Sequence, residues 1–243
     1  MRAKYFIWVI ASGCLIVLLA FQVNAQEFTY KVQQDRTVGH RDGELTISQN
    51  GIEYRARKRP NESRSWTYSG DIKLLEILSP TKIRIWTYKD RRLLLGRDEN
   101  LTFKIVDGQL DQKVSDFFRE RLPRPFVTSF VEEDRTLLAA IPVKHTHRFG
   151  GCEGLLKVYS DRLIYDSENG HDSRNWRWTD IRSLGRSDLY RLDIETFEPQ
   201  IGASSRSFNF ILKQQLPDRI YDLLWARIYH PTPLIRVDSS ERR

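Results

Sequence analysis

The stretch "SRSWTYSGDI" at residues 63–72 returns as "SRNWRWTDI" at residues 173–181. With one gap opposite Gly70, both stretches contain serine, arginine, tryptophan, a second aromatic residue, aspartate and isoleucine in the same order. We call this the repeated phrase. Its residues are Ser63, Arg64, Trp66, Tyr68, Asp71 and Ile72 in the first copy and Ser173, Arg174, Trp176, Trp178, Asp180 and Ile181 in the second. One shared phrase can arise by chance, so its meaning depends on whether the same register continues on both sides.

The register does continue on both sides. Upstream, "GELTISQNGIEY" at residues 43–54 matches "GLLKVYSDRLIY" at residues 154–165, and each reads as an alternating strand, a turn and a second strand. Asn50-Gly51 is a strong hairpin signal within the first of these. Downstream, "IRIWTY" at residues 83–88 matches "LDIETF" at residues 192–197. The sequence therefore predicts two copies of one fold.

Each copy ends in a predicted amphipathic helix. Apolar residues recur at i, i+3, i+4 and i+8, as Val114, Phe117, Phe118 and Leu122 in the first copy and as Ile220, Leu223, Leu224 and Ile228 in the second. Asp111 and Asp218 stand near the helix starts, where a carboxylate accepts backbone N–H bonds. In the first copy we expect strands at 28–36, 43–49, 51–58, 63–68, 72–78, 82–89 and 100–107, and a helix at 111–122. This pattern predicts a mainly β fold, in which a bent antiparallel sheet forms a β-barrel capped by the helix.

Seven strands followed by one capping helix resemble the pleckstrin-homology-like (PH-like) fold. The segment Trp66–Leu75, with a Trp-x-aromatic run before Asp-Ile-x-x-Leu, is similar to the central strands of bacterial PH-like and GRAM-like modules. The resemblance implies two tandem PH-like domains at 27–122 and 141–229, a linker at 123–140 and a flexible tail at 230–243. It brings no diagnostic catalytic motif.

The N-terminus predicts export. Arg2 and Lys4 precede an apolar run at residues 5–23, and small residues at 23–25 suit a signal peptidase, so residues 1–25 read as a signal peptide. The alternatives are an uncleaved membrane anchor through residues 5–23 and lipidation at Cys14. Removing residues 1–25 leaves Cys152 as the one cysteine, which is more typical of a bacterial envelope protein than of a disulfide-stapled secreted module. We expect a periplasmic or extracellular location.

The charge pattern limits the kinds of partner. The net charge is +7, of which Arg2 and Lys4 contribute two, and basic and acidic residues alternate along the chain instead of forming one run. This pattern argues against nucleic acid and allows a weak contact with an anionic membrane surface. The expected partner is a protein, a peptide or an envelope component.

Positions that both copies share are expected to serve the fold, so we expect Trp66, Tyr68, Ile72, Trp176, Trp178 and Ile181 in the core. Function is then expected where the copies differ. His145 and His147 share one face of a predicted strand, and the matching residues of the first copy are Gln34 and Arg36. The histidines could bind a metal with His171, Asp172 or Cys152, or they could be solvated or hydrogen-bonded histidines at a strand end. Cys152 could act as a nucleophile, or it could be an inert thiol.

Basic residues cluster in two predicted loops, Arg57, Lys58 and Arg59 in the first and Lys89, Arg91 and Arg92 in the second. They could contact phosphate groups or remain solvated. Together these features predict a non-catalytic binding or scaffold protein without a cofactor. The alternatives are a metal- or thiol-dependent enzyme that uses His145, His147 and Cys152, and a carrier of an apolar ligand in a barrel cavity.

Overall fold

The structure is a computed structural model that describes residues 26–91, 94–131, 136–147, 150–170, 172–200 and 203–230, without the side chains of residues 94–97. The predicted signal peptide or anchor at residues 1–25, with Cys14, lies outside the described residues. So does nearly all of the predicted tail, residues 231–243. Within the described ranges, no helix has the length and apolar character needed to cross a membrane.

The described residues are mainly β, with two α-helices. The N-terminal segment contains β1 Phe28–Asp35, β2 His40–Ile47, β3 Gly51–Ala56, β4 Arg64–Thr67, β5 Ile72–Ser79, β6 Lys82–Arg91, β7 Leu94–Asp107 and α1 Gln112–Arg121. After β8 Phe126–Thr128, the C-terminal segment contains β9 Leu137–His147, β10 Gly150–Tyr159, β11 Arg162–Ser167, β12 Arg174–Arg177, β13 Ile181–Asp188, β14 Arg191–Thr196, β15 Arg206–Leu212 and α2 Asp218–Tyr229. The strands and the helix that the repeat predicts for the first copy all lie close to the observed positions.

One strand order occurs in both segments. The described strands form one open sheet in the order β13-β14-β15-β9-β10-β11-β12-β8-β5-β6-β7-β1-β2-β3-β4. In each segment the first strand pairs with both the second and the seventh, as β1 does with β2 and β7, and as β9 does with β10 and β15. The repeated sequence therefore folds into a repeated topology.

The prediction of a closed β-barrel is wrong, and β8 provides the reason. This short strand, inside the predicted linker, pairs in parallel with β5 and antiparallel with β12. The edge of β5 that would have to meet β4 to close the N-terminal segment is therefore already occupied, and the edge of β12 that would have to meet β13 is occupied as well. Since one strand edge hydrogen-bonds to one neighbour, β8 joins the two segments into one sheet and both stay open.

Two clusters of buried side chains form the core. One lies in the N-terminal segment around Tyr54, Phe103 and Phe118, and the other lies around Trp176 and Phe208 in the C-terminal segment. All six apolar residues of the repeated phrase are buried, and they are Trp66, Tyr68, Ile72, Trp176, Trp178 and Ile181. The interiors of both segments are thus filled by side chains.

The serine and the aspartate of the repeated phrase make the same hydrogen bonds in both copies. The Ser63 hydroxyl accepts a bond from the backbone N–H of Ala56 at 3.0 Å, and the Ser173 hydroxyl accepts one from Ser167 at 3.1 Å. Likewise, Asp71 accepts a bond from the backbone N–H of Thr67 at 2.9 Å. Asp180 accepts the equivalent bond from Arg177 at 3.0 Å. The phrase therefore fixes local backbone geometry in each segment.

The two helices begin differently. The side chain of Asp111 caps α1 by accepting a bond from the N–H of Val114 at 3.1 Å, as its position in the sequence suggested. Asp218 is the first residue of α2 and makes no capping bond, because its carboxylate pairs with Arg186 at 2.8 Å.

Candidate functional site

The β9–β10 hairpin brings three of the predicted site residues to one face of the sheet. His145 lies directly opposite Cys152 in the register of the two strands. His147 follows His145 by two residues, so strand alternation places it on the same face, and the two imidazole centroids lie 4.2 Å apart. Gly150, the first residue of β10, has a φ of +97°, a conformation that favours glycine.

The loop between β11 and β12 adds a carboxylate to this face. The Cys152 thiol donates a hydrogen bond to Oδ2 of Asp172 at 3.0 Å, and Nε2 of His147 lies 3.3 Å from the same oxygen. Nδ2 of Asn169 donates to the Cys152 sulfur at 3.0 Å. The ligating atoms of His147, Cys152 and Asp172 all lie within 4.8 Å of one another, and we call these three residues the His-Cys-Asp cluster. His171, the other ligand considered from the sequence, lies outside the described residues.

The contact between Cys152 and Asp172 shifts the pKa of both groups. The hydrogen bond to Asp172, followed by burial, raises the pKa of the Cys152 thiol, so the sulfur stays protonated at neutral pH. Burial acts to raise the pKa of Asp172, but the bond from Cys152 and the nearby His147 outweigh it and lower the pKa overall. A protonated thiol is a weak nucleophile, so the resting arrangement does not favour covalent catalysis.

His145 is the buried neighbour of the cluster. Only 2% of its surface is exposed, and its ring packs against those of Tyr165, Phe208 and Phe210 at centroid distances of 5.2 to 5.6 Å. Burial first, and His147 second, lower the pKa of His145 to about 4, so its imidazole is neutral. Its Nδ1 atom is buried and has no hydrogen-bond partner within the described part of the chain.

The predicted basic site lies elsewhere. Arg57, Lys58 and Arg59 are exposed between β3 and β4 in the N-terminal segment. The Arg59 guanidinium lies 3.4 Å from Glu62, a carboxylate that also contacts Arg36 and Arg41. The structure does not bring these residues to the His-Cys-Asp cluster, and Glu62 already neutralises part of their charge.

The outer edge of β13 is a second candidate site. Within the described residues, β13 pairs with β14 on one side and with no strand on the other. The backbone N–H of Leu184 points to this outer edge and donates to the hydroxyl of Tyr229 at 2.9 Å. Leu75, the matching residue of the first copy, donates instead to the backbone carbonyl of Pro125 at 3.2 Å, just before β8. The same edge is thus covered by a strand in one segment and by a side chain in the other.

A surface pocket of about 390 Å³ lies beside β1 and the turn after β7. Its lining includes Lys31, Glu44 and Asp107, and charged walls are poorly suited to an apolar ligand. The carrier hypothesis therefore gains no support from this pocket.

Sequence reasoning placed β8 in a linker and missed it, although a signal was present. Leu122 and His230 are the C-terminal caps of α1 and α2, and each is followed directly by Pro-x-Pro and two apolar residues. The first such stretch is "PRPFV" at residues 123–127, and the second is "PTPLI" at residues 231–235. The repeat therefore extends past the helices, and in the first copy this extension contains the start of β8.

Comparisons with known proteins give little further information. No protein-family model and no curated protein matches the chain. Among solved structures, one described as the Spt16D Pob3N heterodimer matches with a TM-score of 0.30 and 11% sequence identity. That match covers 71% of this chain and 84% of the other. A likeness at this level carries no argument about function.

Proposed function

We propose that the protein is an exported, non-catalytic binding protein built from two PH-like domains, and that the C-terminal domain recognises an extended peptide segment of a partner protein along β13. The repeated strand order and the helix after each seventh strand support the two-domain interpretation. Residues 1–25 support export, because they have the sequence of a signal peptide or anchor. The protonated state of Cys152 favours binding over thiol catalysis.

The observation that carries the proposal is the pairing of β8 with β5. Phe126 lies opposite Leu75 in a parallel pair, the Leu75 N–H donates to Pro125, and the Ser129 N–H donates to the carbonyl of Ile77 at 3.0 Å. A short extended segment thus adds to the fifth strand of the N-terminal segment. Since β13 is the fifth strand of the other segment and pairs with no described strand on its outer edge, it offers the same row of backbone groups to a peptide that displaces the Tyr229 hydroxyl from Leu184.

The chemistry of β8 indicates which peptides fit such an edge. Pro123 and Pro125 favour an extended backbone, and the two apolar residues that follow, Phe126 and Val127, are buried. We therefore expect a peptide with Pro-x-Pro before two apolar residues. The sequence at residues 231–237 has this pattern and supplies a probe, a synthetic peptide of residues 231–243.

The test uses the full chain with Leu234→Ser and Ile235→Ser, so that its own terminus competes less with the added peptide. Isothermal titration with the probe peptide is expected to show saturable binding of one peptide per chain. The absence of binding would contradict the proposal.

Two N-methylated peptides then distinguish strand addition from general apolar contact. The Phe126 N–H faces away from β5 and donates to Asp180, so alternation directs the next N–H, that of Val127, towards β5. The equivalent residues of the probe are Leu234 and Ile235. N-methylation at Ile235 is expected to weaken binding about tenfold, the value of one lost hydrogen bond, whereas N-methylation at Leu234 is the matched control. Equal losses for both peptides would argue against a strand at this edge.

A further inference from the structure

We propose that His147, Cys152 and Asp172 bind a divalent transition-metal ion such as Zn²⁺, and that the ion joins the β9–β10 hairpin to the loop between β11 and β12. The three residues offer an imidazole nitrogen, a sulfur and a carboxylate oxygen, which together suit a borderline-soft cation. This site is independent of the proposed peptide-binding edge, because no residue is common to both.

The spacing of the ligating atoms supports the proposal. Two ligands of a tetrahedral Zn²⁺ ion, at about 2.0–2.3 Å from the metal, lie about 3.4–3.6 Å from each other. Nε2 of His147 is 3.3 Å from Oδ2 of Asp172, and the Cys152 sulfur is 3.0 Å from the same oxygen. These two separations differ from the tetrahedral values by about 0.1 and 0.6 Å, so small side-chain movements would admit an ion.

The charges of the cluster also suit a cation. Asp172 supplies a carboxylate oxygen that contacts both of its neighbours, at 3.0 Å from the Cys152 sulfur and 3.3 Å from Nε2 of His147. When the metal binds, the Cys152 thiol releases its proton to solvent and the resulting thiolate bonds to the ion. Asn169 donates to the Cys152 sulfur, and the same bond would stabilise the thiolate.

A second observation points to the same place. His145 is 2% exposed and its ring lies 4.2 Å from that of His147, yet its buried Nδ1 has no hydrogen-bond partner within the described residues. Buried polar atoms are normally satisfied, so an unsatisfied imidazole nitrogen beside three ligands marks a site that an additional group completes. Three protein ligands leave a fourth position on a tetrahedral ion for a water molecule.

The test is metal binding by the full chain, purified without a polyhistidine tag and treated with a chelator. Titration with Zn²⁺ is expected to show one ion per chain and to raise the melting temperature. Titration with Co²⁺ is expected to give a thiolate-to-metal charge-transfer band. The variants Cys152→Ser, Asp172→Asn and His147→Gln are each expected to weaken Zn²⁺ binding by at least about tenfold.

The matched control is His40→Gln, which removes another histidine that lies near a carboxylate, 3.9 Å from Asp42. It is expected to leave binding unchanged. Circular dichroism establishes that each variant is folded, and Cys152→Ser keeps the size of the side chain. The proposal is overturned if neither ion binds stoichiometrically, if the Co²⁺ complex lacks the thiolate band, or if folded Cys152→Ser and Asp172→Asn variants bind Zn²⁺ as the unmodified chain does.

Discussion

Asp180, at the end of the second copy of the repeated phrase, accepts a hydrogen bond from the backbone N–H of Phe126 in β8 at 3.0 Å. The same carboxylate accepts bonds from Arg177, whose guanidinium also donates to the carbonyls of Leu122 at 3.1 Å and Arg124 at 2.7 Å. Arg177 therefore satisfies a free carbonyl at the end of α1 while Asp180 fixes β8. This ion pair connects the two segments at the point where the sheet is continuous.

Replacing Asp180 by alanine is expected to destabilise the protein strongly. The Asp180 side chain is fully buried, and its loss leaves Arg177 without its carboxylate and Phe126 without its acceptor. We expect the free energy of unfolding, measured by urea denaturation, to fall by about 3–5 kcal/mol. The control is Asp71→Ala, which removes the equivalent carboxylate at a more exposed position and is expected to cost about 1 kcal/mol. If both variants lose the same free energy of unfolding, the burial of Asp180 between the two segments does not add to the stability of the protein.

Replacing Ser173 by alanine is expected to cost more stability than replacing Ser63, the equivalent serine of the first copy. Ser173 is 1% exposed, so Ser173→Ala leaves the N–H of Ser167 buried without an acceptor, at a cost of about 1–3 kcal/mol. Ser63 makes the same bond to Ala56 at a partly exposed position, where water can replace the hydroxyl. Hydrogen exchange of the Ser167 and Ala56 amides in the two variants measures this difference. A larger effect at Ala56 would contradict it.

The repeat made much of the fold predictable, because each copy carried its own periodicity. Alternating apolar residues predicted the ends of each strand of the first copy to within three residues, except that β7 begins six residues earlier than expected, and Asp111 predicted the cap of α1. The arrangement of the strands in one open sheet depends instead on β8. Its three residues are too few to show a period, and their pairing with β5 and β12 is a long-range contact. Local patterns therefore predicted a barrel that tertiary pairing prevented.

The candidate site was predictable only in part, for a similar reason. The spacing of His145 and His147 places both on one strand face, and that relationship is local. The approach of Asp172 to Cys152 depends on how the β11–β12 loop folds over β10, which no sequence spacing specifies. Asp172 was therefore one of several possible ligands until the structure placed it 3.0 Å from the thiol.

The pH dependence of stability is expected to reveal the cost of burying Glu76. Burial first, and the charge of Glu198 second, raise the pKa of Glu76 above its ordinary value of 4.5. The folded state therefore binds this proton more tightly than the unfolded state does. As the pH rises from 4.5 through the raised pKa of Glu76, its contribution to stability decreases and then stays constant.

The variant Glu76→Gln lacks this titration and keeps an acceptor for the indole N–H of Trp86, which lies 2.6 Å from Glu76. We expect the variant to gain stability relative to the unmodified chain between pH 4.5 and pH 7, as measured by urea denaturation at several pH values. Glu44→Gln serves as the control, because it removes an exposed carboxylate of the N-terminal segment. A difference that is constant with pH would mean that the pKa of Glu76 is the same in both states.

The unmodified chain is expected to bind the peptide of residues 231–243 more weakly than the variant with Leu234→Ser and Ile235→Ser does. This prediction rests on the proposed peptide site at β13. The sequence at residues 231–235 has the same Pro-x-Pro pattern as the probe and begins two residues after Tyr229, whose hydroxyl contacts the edge at Leu184. A tethered segment competes at an effective concentration of about millimolar, so we expect at least a tenfold difference in apparent Kd by titration calorimetry.

The control for this prediction is the double variant Ser239→Ala with Ser240→Ala, which changes two residues outside the Pro-x-Pro pattern. It is expected to bind the peptide as weakly as the unmodified chain does. Equal affinities for all three chains would show that the terminus does not reach β13, while peptide binding itself would still support the site.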